Sequence, residues 1–330
     1  MKLSAKGEFG LIELIRKKCL SADNRIILGI GDDAAVIKPN SNRLSVLTTD
    51  ALIERVHFNL DYFSFYQLGW RALAANLSDI AAMGGKPICS VVTVGLNDRA
   101  SVENVLQFYN GLLDLSKRFD CAVAGGDIVR SPTELVISIS VLGEVQRDKM
   151  VTRAGAKVGD LIFVTGELGE AQAGLELLLK RRKNKRLESS AALTSKHLQP
   201  VPRLAESESL LDRLKLNSMI DISDGLAADL HHICEESRVG AVLWGDTVPV
   251  SSRAKTAAKI LGKDPFQFAL QGGEEYELLF TAGSKQAGRA FGIGQFKVTA
   301  IGEIVPKRQG IRLYRDGHLT KLLVKGYTHF

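Results

Sequence analysis

At 330 residues, with 45% hydrophobic and 24% charged side chains, the chain has ordinary globular composition and is too long for one ordinary core. No apolar stretch approaches the ~20 residues needed to span a bilayer, and the start M-K-L-S-A-K-G-E-F-G lacks a signal-peptide core, so no membrane partner is expected. The net charge of +6 does not point to nucleic acid, because much of the surplus sits in one run, K-R-R-K-N-K-R at 180–186, where a solvated helix end accounts for it.

In chain order, residues 8–19 carry an apolar face of Phe9, Leu11, Ile12, Leu14 and Ile15 and predict a short amphipathic helix. Strand-like runs follow at 26–30 and 44–48. The Ala- and Leu-rich stretch from Phe65 to Met83 predicts a helix that stops at Gly84-Gly85 with Pro87 behind it. A strand (88–95), a helix (about 101–118), a short strand (121–124) and an alternating strand (134–142) complete a first unit. Near 150–160 the turn-rich T-R-A-G-A-K-V-G-D leads into a fresh strand, L-I-F-V-T-G. Helices at 170–183, 203–214 and 225–237 then alternate with strands near 219–222, 276–281 and 297–302. The expectation is two mixed α/β domains, residues 1–150 and 151–330. Four cysteines, Cys19, Cys89, Cys121 and Cys234, lie far apart without C-x-x-C and read as reduced thiols of a cytoplasmic protein.

Aspartates set among small or hydroxyl residues recur along the chain: G-I-G-D-D (29–33), T-T-D (48–50), N-L-S-D (76–79), G-G-D (125–127) and D-I-S-D-G (221–225). Several follow apolar β-like runs, which suggests strand ends and loops converging on one place. Carboxylates gathered there would repel and raise one another's pKa unless cations compensate. Hard oxygen ligands without a Cys or His cluster select Mg²⁺, with Mn²⁺ as a possible substitute, and such sites usually hold phosphates. Asp79 lies within the apolar 65–83 helix, where a carboxylate needs a cation or a hydrogen-bond network. Each motif also has a plainer reading: Ser223 or Asp224 as a helix N-cap, G-G-D as a tight turn, and G-G-E-E-Y-E-L-L-F (272–280) as a loop into a strand. Their joint occurrence favours a site.

G-I-G-D-D-A matches the dinucleotide pattern G-x-G-x-x-A, yet Pro39 and the turn residues after it leave no room for the required helix. Two aspartates would also stand beside a pyrophosphate. A Walker A loop is absent; its nearest candidate, G-G-K-P at 84–87, has proline where the hydroxyl belongs.

Taken in order, G-I-G-D-D-A-A-V, T-T-D-x-L-I-E-x-V-H-F, N-L-S-D-I-A-A-M-G, G-G-D, T-R-x-G-A-x-x-G-D, D-I-S-D-G-L and G-G-E-x-Y-E-L-L-F resemble the signature set of the thiamine-monophosphate kinase family. The likeness runs from G-E-F-G at 7–10 to K-G-Y-x-H-F at 325–330. It implies a two-domain PurM-like fold related to aminoimidazole ribonucleotide synthetase, ATP binding without a P-loop and a homodimer through the N-terminal domains. It implies several Mg²⁺ ions on Asp33, Thr48, Thr49, Asp50, Asp79, Asp127, Asp221 and Asp224, with ATP contacts from Gly126, Asp127, Arg153 and Ser223. His57, Glu274 and Tyr327 would contact thiamine monophosphate. Two departures stand out: Ile128-Val129 after G-G-D in place of hydroxyl residues, and Glu275 where Asp is usual. The implied reaction is Mg²⁺-dependent transfer of the ATP γ-phosphoryl to thiamine monophosphate, giving thiamine diphosphate and ADP without a general base. Another ATP-dependent enzyme of the same superfamily, a non-catalytic Mg²⁺-nucleotide sensor and an NAD-binding oxidoreductase remain as alternatives.

Overall fold

The computed structural model describes residues 8–19, 24–28, 36–40, 42–183, 191–291, 293 and 296–323. The chain divides into two units, one of residues 1–80 with 85–148 and the other of 81–84 with 149–330.

The first unit runs α1 (Glu8–Lys18), β1 (Ile26–Leu28), β2 (Val36–Ile37), β3 (Arg43–Ile53), α2 (Phe65–Ala82), β4 (Lys86–Leu96), α3 (Val102–Arg118), β5 (Ala122–Arg130) and β6 (Val136–Gln146). Its main sheet has the order β3-β6-β4-β5, antiparallel except for the parallel pair β4–β5. Strict alternation along β6 buries Ile137, Ile139 and Val141, and β4 buries Val92 and Val94 beside them. Phe65 and Leu68 of α2 and Val105 and Phe108 of α3 meet Val94, Leu96, Leu135 and Ile137, so the two helices cover this face. The opposite face leaves Leu47, Ile53, Val91 and Val129 exposed.

The helices sit against one another at two glycines. A Cβ on Gly69 would lie 1.9 Å from the Phe108 carbonyl oxygen, and one on Gly111 would lie 1.8 Å from that of Tyr66. Only glycine allows the backbones this close, which outweighs its poor helix propensity. Ser101 starts α3 with a capping box: its hydroxyl accepts from the Asn104 N–H, and the Asn104 side chain accepts from the Ser101 N–H. The predicted short strand at 121–124 is instead nine residues long and carries Gly125-Gly126-Asp127 inside it, so G-G-D is extended backbone and not a turn. A Cβ on Gly126 would meet the Val92 carbonyl oxygen at 2.1 Å, which explains the glycine without any turn.

The second unit is built on β7 (Asp160–Thr165), α4 (Glu170–Lys183), α5 (Ala191–Leu198), α6 (Leu204–Arg213), β8 (Leu216–Asp221), α7 (Leu226–Ser237), β9 (Gly240–Trp244), α8 (Ser252–Leu261), α9 (Pro265–Gln271), β10 (Leu278–Gly283), α10 (Ala287–Ala290), β11 (Val298–Val305), β12 (Ile311–Arg315) and β13 (His318–Lys321). Seven strands form one sheet in the order β13-β12-β9-β11-β7-β10-β8, with only β12–β9 parallel. Ile162, Val164, Ile220 and Leu279 of the sheet pack with Leu226, Leu230 and Ile233 of α7 and Phe266 and Leu270 of α9. Phe163 and Phe280 stack at 5.2 Å between ring centroids. No described helix is long and apolar enough to cross a membrane.

Candidate functional site

Within the first unit, β3 and α2 bring three of the predicted metal ligands together. Thr48 and Asp50 are two apart and share one face of β3, the face that α2 covers, and the Thr48 hydroxyl donates to Asp79 Oδ2 at 2.5 Å. Burial, and then the Asp79 charge, push the Asp50 carboxyl up to about 6. The helix around Asp79 is buried from Arg71 to Ser78 and again at Ile80, as its composition predicts, while Asp79 itself keeps partial access. Thr49 faces the other way: its hydroxyl donates to the Ile139 carbonyl at 3.2 Å and accepts from Ser140 at 2.9 Å. Its side chain therefore does not join Thr48, Asp50 and Asp79.

Gly126 and Asp127 stand at the far edge of the same sheet, both exposed. The register aligns Asp50 with Ile139, Ile139 with Val92 and Val92 with Gly126. Three interstrand spacings of about 4.8 Å put β3 and β5 roughly 14 Å apart along this row. His57 lies just past β3, where its Nδ1 accepts from the Ile53 N–H at 3.0 Å, which leaves the proton of the neutral ring on Nε2. Asp33 lies outside the described residues.

Within the second unit, D-I-S-D-G and G-G-E-E-Y-E face each other directly. The Glu274 N–H donates to the Ser223 carbonyl at 2.8 Å, that of Tyr276 to Ile222 at 2.9 Å, and that of Ile222 back to Glu277 at 2.8 Å. A Cβ on Gly273 would lie 2.3 Å from the Ser223 carbonyl oxygen, so the close approach requires glycine there. Asp221 ends β8 nearly fully buried, while Ser223, Asp224 and Glu274 are half-buried beside it. Arg153 is exposed on the loop next to β8, where the neighbouring Thr152 carbonyl accepts from the Met219 N–H. Tyr327 lies outside the described residues.

Neither Ser223 nor Asp224 caps α7 in the manner their residue types suggest. The N-cap is Gly225 at φ 114°, without a side-chain cap bond. Asp229, one turn into the helix, accepts from the N–H groups of Asp224 at 3.3 Å and Gly225 at 3.0 Å. Burial, and then the charges of Asp221 and Asp224, raise the Asp229 carboxyl well above the usual range. Oxygen or nitrogen atoms of Asp224, Asp229 and His232 lie within 4.8 Å of one another. Asp229 and His232 were not singled out by sequence, although their i, i+3 spacing after D-I-S-D-G was a usable signal.

A second cluster was also missed. Glu277 accepts from Thr165 Oγ1 at 2.8 Å, Lys196 Nζ at 2.9 Å and Arg203 through Nε at 2.8 Å and Nη2 at 2.6 Å. Burial alone would raise Glu277, but Lys196 and Arg203 outweigh it and hold the carboxyl below its ordinary range. Glu275, the departure from the family pattern, uses its extra methylene to reach the N-terminus of α4, where Oε1 accepts from Gly169 N at 2.8 Å and Ala171 N at 3.0 Å.

Two family models match, the AIR synthase related protein N-terminal domain over residues 31–145 and its C-terminal domain over 157–314. Thiamine-monophosphate kinase from Aquifex aeolicus is 36% identical over 330 residues, covering 100% of both chains. The chain belongs to the thiamine-monophosphate kinase family. The crystal structure of thiamine-monophosphate kinase from Stenotrophomonas maltophilia K279a superposes with a TM-score of 0.80 at 34% identity, covering 96% of this chain and 98% of that one. AaThiL complexed with AMPPCP and TMP superposes at 0.78 with 35% identity, covering 100% and 99%. The fold is accordingly PurM-like, and the family is one of phosphotransferases.

Proposed function

We propose that the chain catalyses ATP + thiamine monophosphate → thiamine diphosphate + ADP by direct transfer assisted by Mg²⁺. The observation that carries this reading is the full-length family match, which spans every aspartate motif of both units. Thr48, Asp50 and Asp79 offer only hard oxygen donors, and the Asp50 carboxyl, raised by burial and then by the Asp79 charge, is one that a divalent cation would hold in its charged form. Asp33, Thr49 through its main chain, Asp127, Asp221 and Asp224 are assigned to the same task. Bound ions would neutralise and align the two polyanions.

The chain's own residues do the rest. Gly126, Arg153 and Ser223 are assigned to ATP, the guanidinium as a phosphate partner. His57, Glu274 and Tyr327 are assigned to the acceptor, the carboxylate suiting its cationic ring and the phenol ring offering an aromatic surface. The acceptor phosphate, with a second pKa near ~6, is already ionised at neutral pH, so no residue has to remove a proton.

The working unit is a homodimer through the first unit. Among the described residues, one face of the sheet leaves Leu47 73% exposed, and β3 and β5, which carry Asp50 and Asp127, are its edge strands; both features support it. We place the enzyme in the cytoplasm, which suits its four buried cysteines, none in a disulfide among the described residues. ADP release with thiamine monophosphate, with and without Mg²⁺, tests the reaction; no release in either condition refutes it. Light scattering at micromolar concentration tests the dimer, and a monomer would remove that part.

A further inference from the structure

The segment S-K-H-L-Q-P-V-P-R (195–203) has no part in the assignments above, yet three of its side chains grip the loop that carries Glu274. That loop is unusual in its backbone. Glu274 and Tyr276 adopt φ of 64° and 51°, left-handed values that non-glycine residues rarely take. Such backbone persists only where its surroundings over-determine it, and it concentrates at functional sites. Here alternate residues are held from one side. Glu275 Oε2 lies 2.9 Å from Lys196 Nζ, Glu277 is bound by both Lys196 and Arg203, and all of these carboxylate contacts are buried.

Glu274 meets His197, the third residue of the segment. Its Oε2 lies 3.3 Å from Nδ1 of His197, whose side chain is 2% exposed while that of Glu274 is 32% exposed. A carboxylate that reaches solvent from a strained backbone is thus tied from behind by a buried imidazole. Lys196 and Arg203 bind the carboxylates of Glu275 and Glu277, which follow it in the same loop.

We propose that His197 is a positioning residue for the acceptor, holding the Glu274 carboxylate in the orientation that receives the cationic ring, with Lys196 and Arg203 clamping the loop. This rests on the reading of Glu274 as an acceptor contact. The role predicts an effect on acceptor affinity alone, because nothing in the segment is assigned to ATP or to the transferring phosphoryl.

The test is a kinetic cycle of His197→Ala, Glu274→Ala and the double variant, with His197→Asn as the conservative replacement that returns an amide nitrogen near Nδ1. His197→Ala should raise KM for thiamine monophosphate about tenfold, with kcat and the ATP KM within about twofold. The double variant should be no worse than Glu274→Ala, and His197→Asn should recover most of the affinity. Should His197→Ala fold too poorly to assay, His197→Leu, which fills the space but offers Glu274 no nitrogen, takes its place in the same KM comparison. Additive losses, or an equal fall in kcat and ATP affinity, overturn the positioning role. A normal acceptor KM in Glu274→Ala overturns the reading of Glu274 and the proposal with it, whereas a normal KM in His197→Ala beside an impaired Glu274→Ala overturns the proposal alone.

Discussion

Two groups of carboxylates, one in each unit, are buried in opposite ways. Asp50 and Asp79 are brought together by β3 and α2, with the Thr48 hydroxyl donating to Asp79, and burial with the Asp79 charge pushes Asp50 up to about 6. Glu277 is buried more deeply, yet Lys196 and Arg203 hold it below its ordinary range. The second group is complete as the chain folds. The first sets two carboxylates side by side with Asp50 raised mainly by burial, an arrangement that suits a cation.

If that contrast is right, the two groups respond to substitution in different currencies. Glu277→Gln should cost about 1.5–3 kcal/mol of folding stability, since it removes the charged partner that Lys196 and Arg203 share and leaves them with Glu275 and Glu206, and urea unfolding measures it. Its pH dependence follows from the depressed carboxyl: the contribution is present above the unfolded value near ~4.3 and is lost as pH falls through the folded one. The stability gap between wild type and Glu277→Gln should therefore narrow on acidification. A gap that widens would mean that Lys196 and Arg203 do not hold the charged form.

Asp79→Asn should lower activity by at least about a hundredfold at saturating Mg²⁺, while its unfolding midpoint stays near wild type. Near-normal turnover would remove Asp79 from the metal-binding set and erase the contrast. Smaller again, Tyr327→Ala should weaken thiamine monophosphate by about tenfold and ATP by less, from the loss of one aromatic surface; matched losses in both KM values would argue against an acceptor contact.

Much of this was legible before folding was considered. The end of α2 was readable because Gly84-Gly85 and Pro87 stop a helix for local reasons. G-G-D was ambiguous, since glycine marks both turns and close backbone approach, and only the Val92 carbonyl beside Gly126 decides between them. The region from β9 to α9 went unread because its elements are short, and the β12–β13 hairpin was overlooked although Asp316-Gly317, at φ 50° and 76°, is the expected turn pair. The Lys196–Arg203 clamp lies about 80 residues from its glutamates in sequence, a pairing that no local pattern encodes. The left-handed backbone at Glu274 and Tyr276 is equally a product of that tertiary grip.

The most direct measurement follows the fate of a radiolabelled ATP γ-phosphoryl in a single turnover with Mg²⁺. Label should pass from ATP to thiamine diphosphate in the presence of thiamine monophosphate, with none on the protein at any time and none transferred to free thiamine. Label on the protein before product appears, or comparable labelling of free thiamine, would contradict direct transfer to a phosphate acceptor.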